Sequence, residues 1–278
     1  MLGCIRTRFL LSPNVSPDGP PNARMLDTQL HIQLLRFDSL PSTNTEALRR
    51  AVGGAQAGLC IVAREQTAGR GRHARTWVSP KDAGLYFSLL LRPRLDAQLW
   101  PLLTLAAALA VRAALTESCA LTPDIKWPND LLASGRKLCG ILAEVCDTER
   151  GRACVVGIGI NLTDEAVPPD LSARATSIAA ATGRTPDREV ILSALVRQLA
   201  RRYAQLHEPH GPETIINAWC AASSYADGKH VRVETGTEQF DGTTRGLEPD
   251  GALRVETDAG EIKIVRAGDV HALREVNN

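Results

Sequence analysis

The chain has 278 residues, of which 44% are hydrophobic and 23% are charged, and its formal net charge at pH 7 is +1. This length and composition predict a soluble globular protein with one large domain or two domains. A net charge so close to zero gives no global basic field that would attract a nucleic acid or an anionic membrane. Any cationic function must therefore be local.

Seven cysteines are scattered along the chain, and no two of them form a CxxC pair. Most lie in apolar runs, where cysteine behaves as a small hydrophobic residue. This usage argues against a disulfide framework or a zinc site, and it favours a reducing cytoplasm. We therefore expect a cytoplasmic protein whose cysteines are structural.

Residues 1–30 contain many Pro, Asn, Ser and Gly residues and lack the apolar run of a signal peptide. We expect this extension to be disordered and dispensable, with Met25 as a candidate translation start. The longest apolar stretch, residues 97–111, is shorter than the roughly 20 residues that a membrane-spanning helix needs. It predicts a buried helix and gives no reason to expect a membrane partner.

From about Gln33, predicted strands and helices alternate. The segment LPSTNTEALRRAV indicates a helix that begins near Thr43, with Thr43 as its N-cap and Glu46 completing a capping box. Leu59–Gln66 and residues 84–93 are apolar and rich in strand-forming side chains, and both predict strands. Residues 101–117 predict a helix with Pro101 near its first turn.

Three predicted strands then follow closely, at residues 124–133, 137–147 and 153–162. The first two are joined by SGR, a hairpin signal, and links this short favour antiparallel pairing. Residues 185–208 predict a helix with Thr185 and Pro186 at its start, and residues 213–223 continue as helix. The apolar positions that indicate the first of these helices are Val190, Leu195, Leu199, Tyr203 and Leu206.

The pattern changes near Tyr225. Short β-type segments separated by glycine turns continue to the end, which predicts a small β-barrel or sandwich. The expected organisation is therefore a disordered extension over residues 1–30, a larger domain over 31–224 and a small domain over 225–278.

The stretch TAGRGRHARTW, residues 67–77, places three arginines and a histidine among two glycines, between apolar segments. Glycines let the backbone approach a ligand closely, and arginines pair with carboxylate or phosphate oxygens. A solvated surface loop is the simpler alternative. Because the positive charge is local, the stretch favours a small anionic ligand over a long polyanion.

Further short segments occur in a definite order along the chain. They are STN at 42–44, GRGRHARTW at 69–77, KWPNDLL at 126–132, KLCGIL at 137–142 and GIGINL at 157–162. Together with the terminal β-domain, this series resembles the biotin protein ligases, which activate biotin with ATP and attach it to a lysine of a carrier protein. The resemblance covers essentially everything after residue 35. It implies an α+β fold with a class II aminoacyl-tRNA synthetase-like catalytic domain, a seven-stranded mixed sheet and an SH3-like C-terminal domain.

The resemblance also assigns roles to particular residues. Those implied for biotin are Ser42, Thr43, Asn44, Gln66, Gly69, Arg70, Arg72, Lys137, Gly140, Gly157 and Gly159. Those implied for ATP are Arg72, Arg75, Trp77, Lys126, Asn129, Asn161 and Arg274. The implied catalytic residues are Lys137, Arg72, Lys126 and Asp130. In this scheme Lys137 touches the biotin carboxylate and the α-phosphate, Trp77 packs near the adenine, and Asp130 accepts a proton from the attacking lysine.

Several of these residues have simpler explanations. The residues STN suit a helix start, Pro128 suits a strand end, and Lys137 suits an exposed hairpin charge. Ala74 stands where the family commonly has glycine, so a positive φ there would be strained. The resemblance implies that Mg²⁺ arrives with ATP, and it assigns Asn129 to the nucleotide or its Mg²⁺.

The activity implied by the resemblance is that of a short biotin–protein ligase without an N-terminal DNA-binding domain. Its implied acceptor is a biotin carboxyl carrier protein, with no DNA partner and a monomeric or homodimeric state. A lipoate ligase or octanoyltransferase of the same superfamily is the nearest alternative. A non-catalytic RNA-binding module is a second alternative, but it would need a basic face and exposed aromatic residues, and only 4% of the chain is aromatic.

Overall fold

The computed structural model describes residues 6–8 and 30–272. Met25, Arg274 and most of the extension expected to be disordered lie outside these residues.

A mixed sheet of eight strands forms the centre of the larger part of the chain. The strands are β1 (Arg6–Arg8), β2 (Gln33–Leu40), β3 (Leu59–Gln66), β4 (Gly84–Leu91), β5 (Asp124–Lys126), β6 (Asp130–Ala133), β7 (Arg136–Cys146) and β8 (Ala153–Asn161). Their order across the sheet is β1-β2-β3-β4-β8-β7-β6-β5. Strands β2 and β3 are parallel, and all other neighbours are antiparallel. The sheet has one strand more than expected, because residues 6–8 pair with β2 instead of being disordered.

Within residues 30–272, five helices flank this sheet. They are α1 (Thr43–Val52), α2 (Leu102–Cys119), α3 (Ile178–Thr182), α4 (Arg188–Leu206) and α5 (Gly211–Ala222). Alternate residues of β3 separate the two faces, since Leu59 and Ile61 pack with α1 whereas Cys60 and Val62 join the larger core around α2. The α1 face also carries Gly157, whose missing side chain leaves room for the Asn44 amide on that side of the sheet.

Helix α2 is apolar on almost every side. By length and composition alone, residues Ala97–Cys119 could cross a membrane. This span is longer than the apolar stretch of residues 97–111, which was too short to do so. Most of α2 is nevertheless buried against the sheet, α4 and α5. Apolar residues all round are what a helix enclosed in a protein core requires.

The start of α1 differs by one residue from the prediction. Ser42 is the N-cap, and its side chain accepts a hydrogen bond from the Thr45 backbone N–H. The Thr43 hydroxyl instead contacts Gln66, and Glu46 forms ion pairs within the helix. The shift matters because it frees Thr43 and Asn44, both buried, to face the space above the sheet.

Helix α4 begins after Asp187, whose carboxylate caps it, and not at Thr185 and Pro186. Leu195, like the other predicted apolar positions of this helix apart from Val190, is buried. Val190 is 50% exposed, so its predicted place in the core is wrong. It lies in the first turn of the helix, directly before the buried Ile191.

Residues 124–133, predicted as one strand, form the two antiparallel strands β5 and β6. The turn between them contains a cis peptide bond from Trp127 to Pro128. Strand β6 then pairs with β7 across Ser134 and Gly135, both at positive φ, as the SGR hairpin signal predicted.

After α5 the chain forms a second sheet of five antiparallel strands in the order β12-β11-β10-β9-β13. The strands are β9 (Asp227–Glu234), β10 (Gln239–Leu247), β11 (Leu253–Thr257), β12 (Ile262–Val265) and β13 (Asp269–Ala272). The predicted boundary after residue 224 falls between α5 and β9. The indole Nε1 of Trp127 donates a hydrogen bond to the Gly251 carbonyl at 3.0 Å, which joins the small sheet to the β5–β6 turn.

The two faces of α4 give a direct test of this packing. Replacing the fully buried Leu195 by alanine should lower the free energy of unfolding by about 2–5 kcal/mol, because it removes core contacts and leaves a cavity. The matched change Val190→Ala on the same helix should stay within about 0.5 kcal/mol. Urea denaturation measures both, and equal losses would mean that Val190 faces the core after all.

Candidate active site

A cavity of about 260 Å³ lies on the α1 face of the large sheet. Its wall is formed by the start of α1, residues 70–78, strands β4, β6, β7 and β8, residues 166–175, and β13. Every residue implied for biotin lines this cavity except Gly69. Of those implied for ATP, the cavity wall contains Arg72, Arg75, Trp77, Asn129 and Asn161. Lys126 does not line it, and Arg274 lies outside the described residues.

The Gly-Arg loop, residues 69–77, is a tight hairpin over the cavity. Arg70 and Thr76 form a bridge, and the Gly71 N–H donates to the Arg75 carbonyl at 2.7 Å. At its tip His73 and Ala74 have φ values of 52° and 58°. Ala74 therefore adopts the strained conformation that its place in a glycine position suggested, at a cost on the order of 1 kcal/mol.

Several glycines make room for the side chains of the site itself. A Cβ at Gly159 would come within 2.5 Å of the Trp77 indole, and one at Gly140 would meet the same ring at 3.0 Å. A Cβ at Gly69 would lie 2.4 Å from the Trp77 carbonyl oxygen, so this glycine closes the hairpin without lining the cavity. Gly157 and Gly159, which the resemblance assigns to biotin, both line the cavity, and the Trp77 indole packs on Gly159 in this structure.

Trp77 also offers a polar group to the cavity. Its Nε1 is buried and has no hydrogen-bond acceptor among the described residues. Because an unpaired buried donor costs free energy, a ligand with an acceptor atom at this point gains by satisfying it.

Lys137 is more than an exposed hairpin charge. Its backbone N–H donates to the Arg174 carbonyl, and its carbonyl accepts from the Thr176 N–H, which fixes it beside residues 166–175. Its Nζ lies 2.7 Å from Asp130 Oδ1 and 5.4 Å from the centre of the Trp77 ring. An ammonium held this way, partly shielded from water, can stabilise negative charge that develops in the cavity.

Lys126 is the last residue of β5 and pairs with Asp130 across the β5–β6 turn. Its Nζ is 6.0 Å from the centre of the Tyr225 ring. Burial lowers the pKa of Lys126, and the nearby Asp130 carboxylate works in the opposite direction. Its expected contact with ATP phosphates stays a prediction.

Asp269, at the start of β13, is the main residue that the sequence motifs did not reveal. Its carboxylate accepts a hydrogen bond from Arg75 at 2.5 Å and lies 3.5 Å from Arg72. Arg72 also donates to the Gly268 carbonyl and to Asn129 Oδ1. Burial by itself would raise the pKa of Asp269, but the hydrogen bond from Arg75 and the neighbouring positive charges outweigh it, so the pKa lies below its ordinary value.

Other parts of the wall also carried no motif. Residues 166–175 close one side of the cavity and supply Ala166, Val167, Pro168, Leu171 and Ala175. Behind the wall, Ser88 and Glu144 hold Asn44 by hydrogen bonds. The strand periodicity of β4 and β7 predicts which face Ser88 and Glu144 occupy, but not what they contact.

Within residues 30–272, no group of three or more His, Cys, Asp or Glu side chains is arranged to hold a metal ion. Oxygen atoms that could complete the coordination of an ion carried by a phosphate ligand come from Asn129 and Asp130, which both line the cavity.

Comparison with protein families identifies both parts of the chain. Residues 36–161 match the biotin/lipoate A/B protein ligase family, and residues 228–271 match the biotin protein ligase C terminal domain. Two similar curated proteins are named biotin–[acetyl-CoA-carboxylase] ligase. The one from Mycobacterium tuberculosis is 38% identical and covers 84% of this chain and 86% of its own length. The one from Paracoccus denitrificans is 39% identical, with 82% and 96% covered.

A third relative, the bifunctional ligase/repressor BirA of Bacillus subtilis, is 38% identical over 84% of this chain and 72% of its own length. Among solved structures, the biotin protein ligase from Aquifex aeolicus in complex with biotin and ATP superimposes with a TM-score of 0.74 at 30% identity. That match covers 87% of this chain and 98% of the other. The Leishmania major enzyme in complex with biotinyl-5-AMP has a TM-score of 0.59 at 26% identity, with 90% and 100% covered.

The Asp269 contacts predict a pH-dependent contribution to stability. A carboxylate whose pKa is lowered on folding stabilises the folded state above its unfolded pKa, and this contribution is lost as the pH falls through the folded pKa. Asp269→Asn should therefore lower the melting temperature at pH 7, and the difference from the unmodified protein should shrink in the acid range.

Thermal melts between pH 7 and pH 3 measure this difference, with Asp258→Asn as the control because Asp258 is an exposed aspartate in the turn after β11 and lies 3.3 Å from His230 instead of beside an arginine. A difference that stays constant with pH would mean that the carboxylate charge of Asp269 does not contribute.

Proposed function

The chain belongs to the biotin protein ligase family, and we propose that its cavity carries out the two half-reactions of an ATP-dependent biotin–protein ligase. The first forms biotinyl-5′-AMP and pyrophosphate from biotin and ATP. The second transfers biotin to a specific lysine of a biotin carboxyl carrier protein and releases AMP. The names of the relatives favour this activity over that of a lipoate ligase or octanoyltransferase.

The observation that carries the proposal is the concentration of cations around one cavity. Arg70, Arg72, Arg75 and Lys137 all line it in a protein whose net charge is only +1. In adenylate formation a biotin carboxylate oxygen attacks the α-phosphorus and pyrophosphate leaves, so two anions must meet. Fixed positive groups reduce their repulsion and stabilise the charge of the transition state.

In this proposal Mg²⁺ arrives bound to ATP and neutralises part of the phosphate charge. The absence of a metal-ligand cluster within residues 30–272 is compatible with this, because Mg²⁺ commonly keeps its waters and binds through substrate phosphates and one or two oxygen ligands. Asn129 and Asp130 are the residues that would supply such oxygens.

In the second half-reaction a carrier lysine attacks the acyl carbon of the adenylate and must lose a proton. We assign Asp130 as the acceptor of that proton, since it lines the cavity beside Lys137. The carboxylate is paired with Lys137 in this structure, so this role requires that pair to loosen once the adenylate has formed.

The remaining parts of the proposal rest on the family resemblance and on the composition of the sequence. They are a class II aminoacyl-tRNA synthetase-like catalytic domain, an SH3-like C-terminal sheet, a cytoplasmic location, a monomeric or homodimeric state, and no DNA or membrane partner. The Bacillus subtilis relative is named both ligase and repressor, and for this chain we propose the ligase activity only.

Pyrophosphate release tests the proposal. We expect release that requires both ATP and biotin, that continues over many turnovers only when a carrier domain is added, and that lipoate does not support. Release with lipoate but not with biotin would assign the chain to the alternative activity, and release with neither would contradict adenylate formation in this cavity.

Lys137 should contribute strongly to this first step. Lys137→Ala should slow pyrophosphate release by roughly 10²-fold or more, because it removes a charge positioned for the transition state. The melting temperature should change little, since the side chain is 35% exposed and adds little to the core. Lys81→Ala, which changes a half-exposed surface lysine, is the control and should keep the normal rate. A near-normal rate for purified Lys137→Ala would remove Lys137 from the mechanism.

A further inference from the structure

A continuous chain of hydrogen bonds runs along the wall of the cavity, and two of its members, Ser88 and Glu144, lie just behind that wall. We call it the Asn44 network, and its members are Gln66, Thr43, Ser88, Asn44, Glu144 and Arg70. Gln66 Oε1 accepts from the Thr43 backbone N–H at 2.8 Å, and the Thr43 hydroxyl lies 2.8 Å from that of Ser88. Ser88 donates to Asn44 Oδ1 at 2.6 Å. The network therefore links the end of β3, the start of α1, the middle of β4 and β7 along one face of the sheet.

The Asn44 amide packs on the large sheet, where three neighbouring strands contact it. Ser88, Gly157 and Leu142 lie side by side on β4, β8 and β7. Asn44 packs on the bare Cα of Gly157, where a Cβ would be 2.2 Å from its Oδ1. Its Nδ2 donates to the Leu142 carbonyl at 3.1 Å and to Glu144 Oε2 at 2.7 Å.

These contacts fix which way the amide points. Both Nδ2 hydrogens are used by oxygen acceptors, so Asn44 can offer only acceptor capacity, through Oδ1, to the cavity that it lines. If the amide were flipped, Oδ1 would face the Glu144 carboxylate and the Leu142 carbonyl, and oxygen would repel oxygen. Glu144, the charged member of this pair of acceptors, therefore sets the polarity of this part of the wall.

Glu144 also holds the Gly-Arg loop. Its Oε2 accepts a hydrogen bond from Arg70 Nη2 at 2.9 Å, in addition to the one from Asn44. One carboxylate oxygen thus joins a residue at the base of the cavity to a residue of the loop that covers it. Glu144 does not itself line the cavity, so any effect on a ligand must pass through Asn44 and Arg70.

We propose that Glu144 is a positioning residue for biotin, which orients the Asn44 amide as an acceptor for a ligand N–H and ties that orientation to the Gly-Arg loop through Arg70. The inference rests on the proposed function, which places biotin in this cavity, and biotin has ureido N–H groups. It assigns to Glu144 an effect on biotin binding that is distinct from the charge stabilisation supplied by Lys137.

Steady-state kinetics of the full chain test this role. Glu144→Ala should raise KM for biotin roughly tenfold or more, as expected for the loss of hydrogen bonds to a charged group. KM for ATP and kcat should change less than about threefold. Glu144→Gln keeps an acceptor for Asn44 but loses the charge that holds Arg70, so it should rescue part of the KM defect.

Two further variants separate positioning from general damage. Gly157→Ala displaces the Asn44 amide from the other side and should raise KM for biotin in the same selective way. The double variant with Glu144→Ala and Asn44→Ala should be little worse than Asn44→Ala alone, because the two residues act through one amide. Glu149→Ala, at an exposed glutamate after the same strand, is the control and should behave as the unmodified protein.

The outcomes distinguish the two levels of the argument. An unmodified protein that releases no pyrophosphate with biotin overturns the proposed function and this inference with it. An active unmodified protein combined with an unchanged KM for biotin in Glu144→Ala overturns this inference alone. Equal increases in KM for biotin and ATP together with a lowered melting temperature would also overturn it, since they show a purely structural role.

Discussion

The whole site depends on one electrostatic constraint, which is that several positive charges must be held close together around one cavity. At 4 Å two like charges repel by about 4 kcal/mol at the effective dielectric constant of a protein surface. The structure meets this constraint with carboxylates from separate elements. Glu144 on β7 pairs with Arg70, Asp269 on β13 pairs with Arg75 and Arg72, and Asp130 on β6 pairs with Lys137.

The fold places these partners where the loop needs them. The face of the large sheet that packs against α1 carries glycines at the centre, so the indole of Trp77 and the amide of Asn44 can lie directly on the backbone. The second sheet contributes Asp269, so the small β-domain forms part of the cavity wall and holds two of its arginines. The cations are consequently preorganised, and a bound anion has only to compete with carboxylates that are already within reach.

Local patterns in the sequence predict most of this architecture. The strand alternation of Leu59–Gln66 and the apolar spacing around Leu195 depend on neighbours that are close along the chain, so they appear in the sequence itself. The motifs likewise bring Asn44, Lys137 and most other predicted residues to one cavity.

The missed features depend on contacts that are distant along the chain. Asp269 lies 194 residues from Arg75, and nothing near it indicates a cationic partner. Glu144 looks like any outward-facing residue of a strand, since its partner Asn44 is 100 residues away. The cap at Ser42, one residue before the predicted one, was decided by the side-chain contact between Thr43 and Gln66.

Hydrogen exchange of residues 69–77 measures most directly whether a ligand anion replaces the protein carboxylates as the partner of the loop arginines. We expect slower exchange in this loop when biotin is added, and slower still with biotin and ATP together, because the carboxylates hold the arginines less completely than a bound adenylate does. Exchange that is the same in all three states would contradict the view that the loop arginines exchange protein carboxylates for ligand anions.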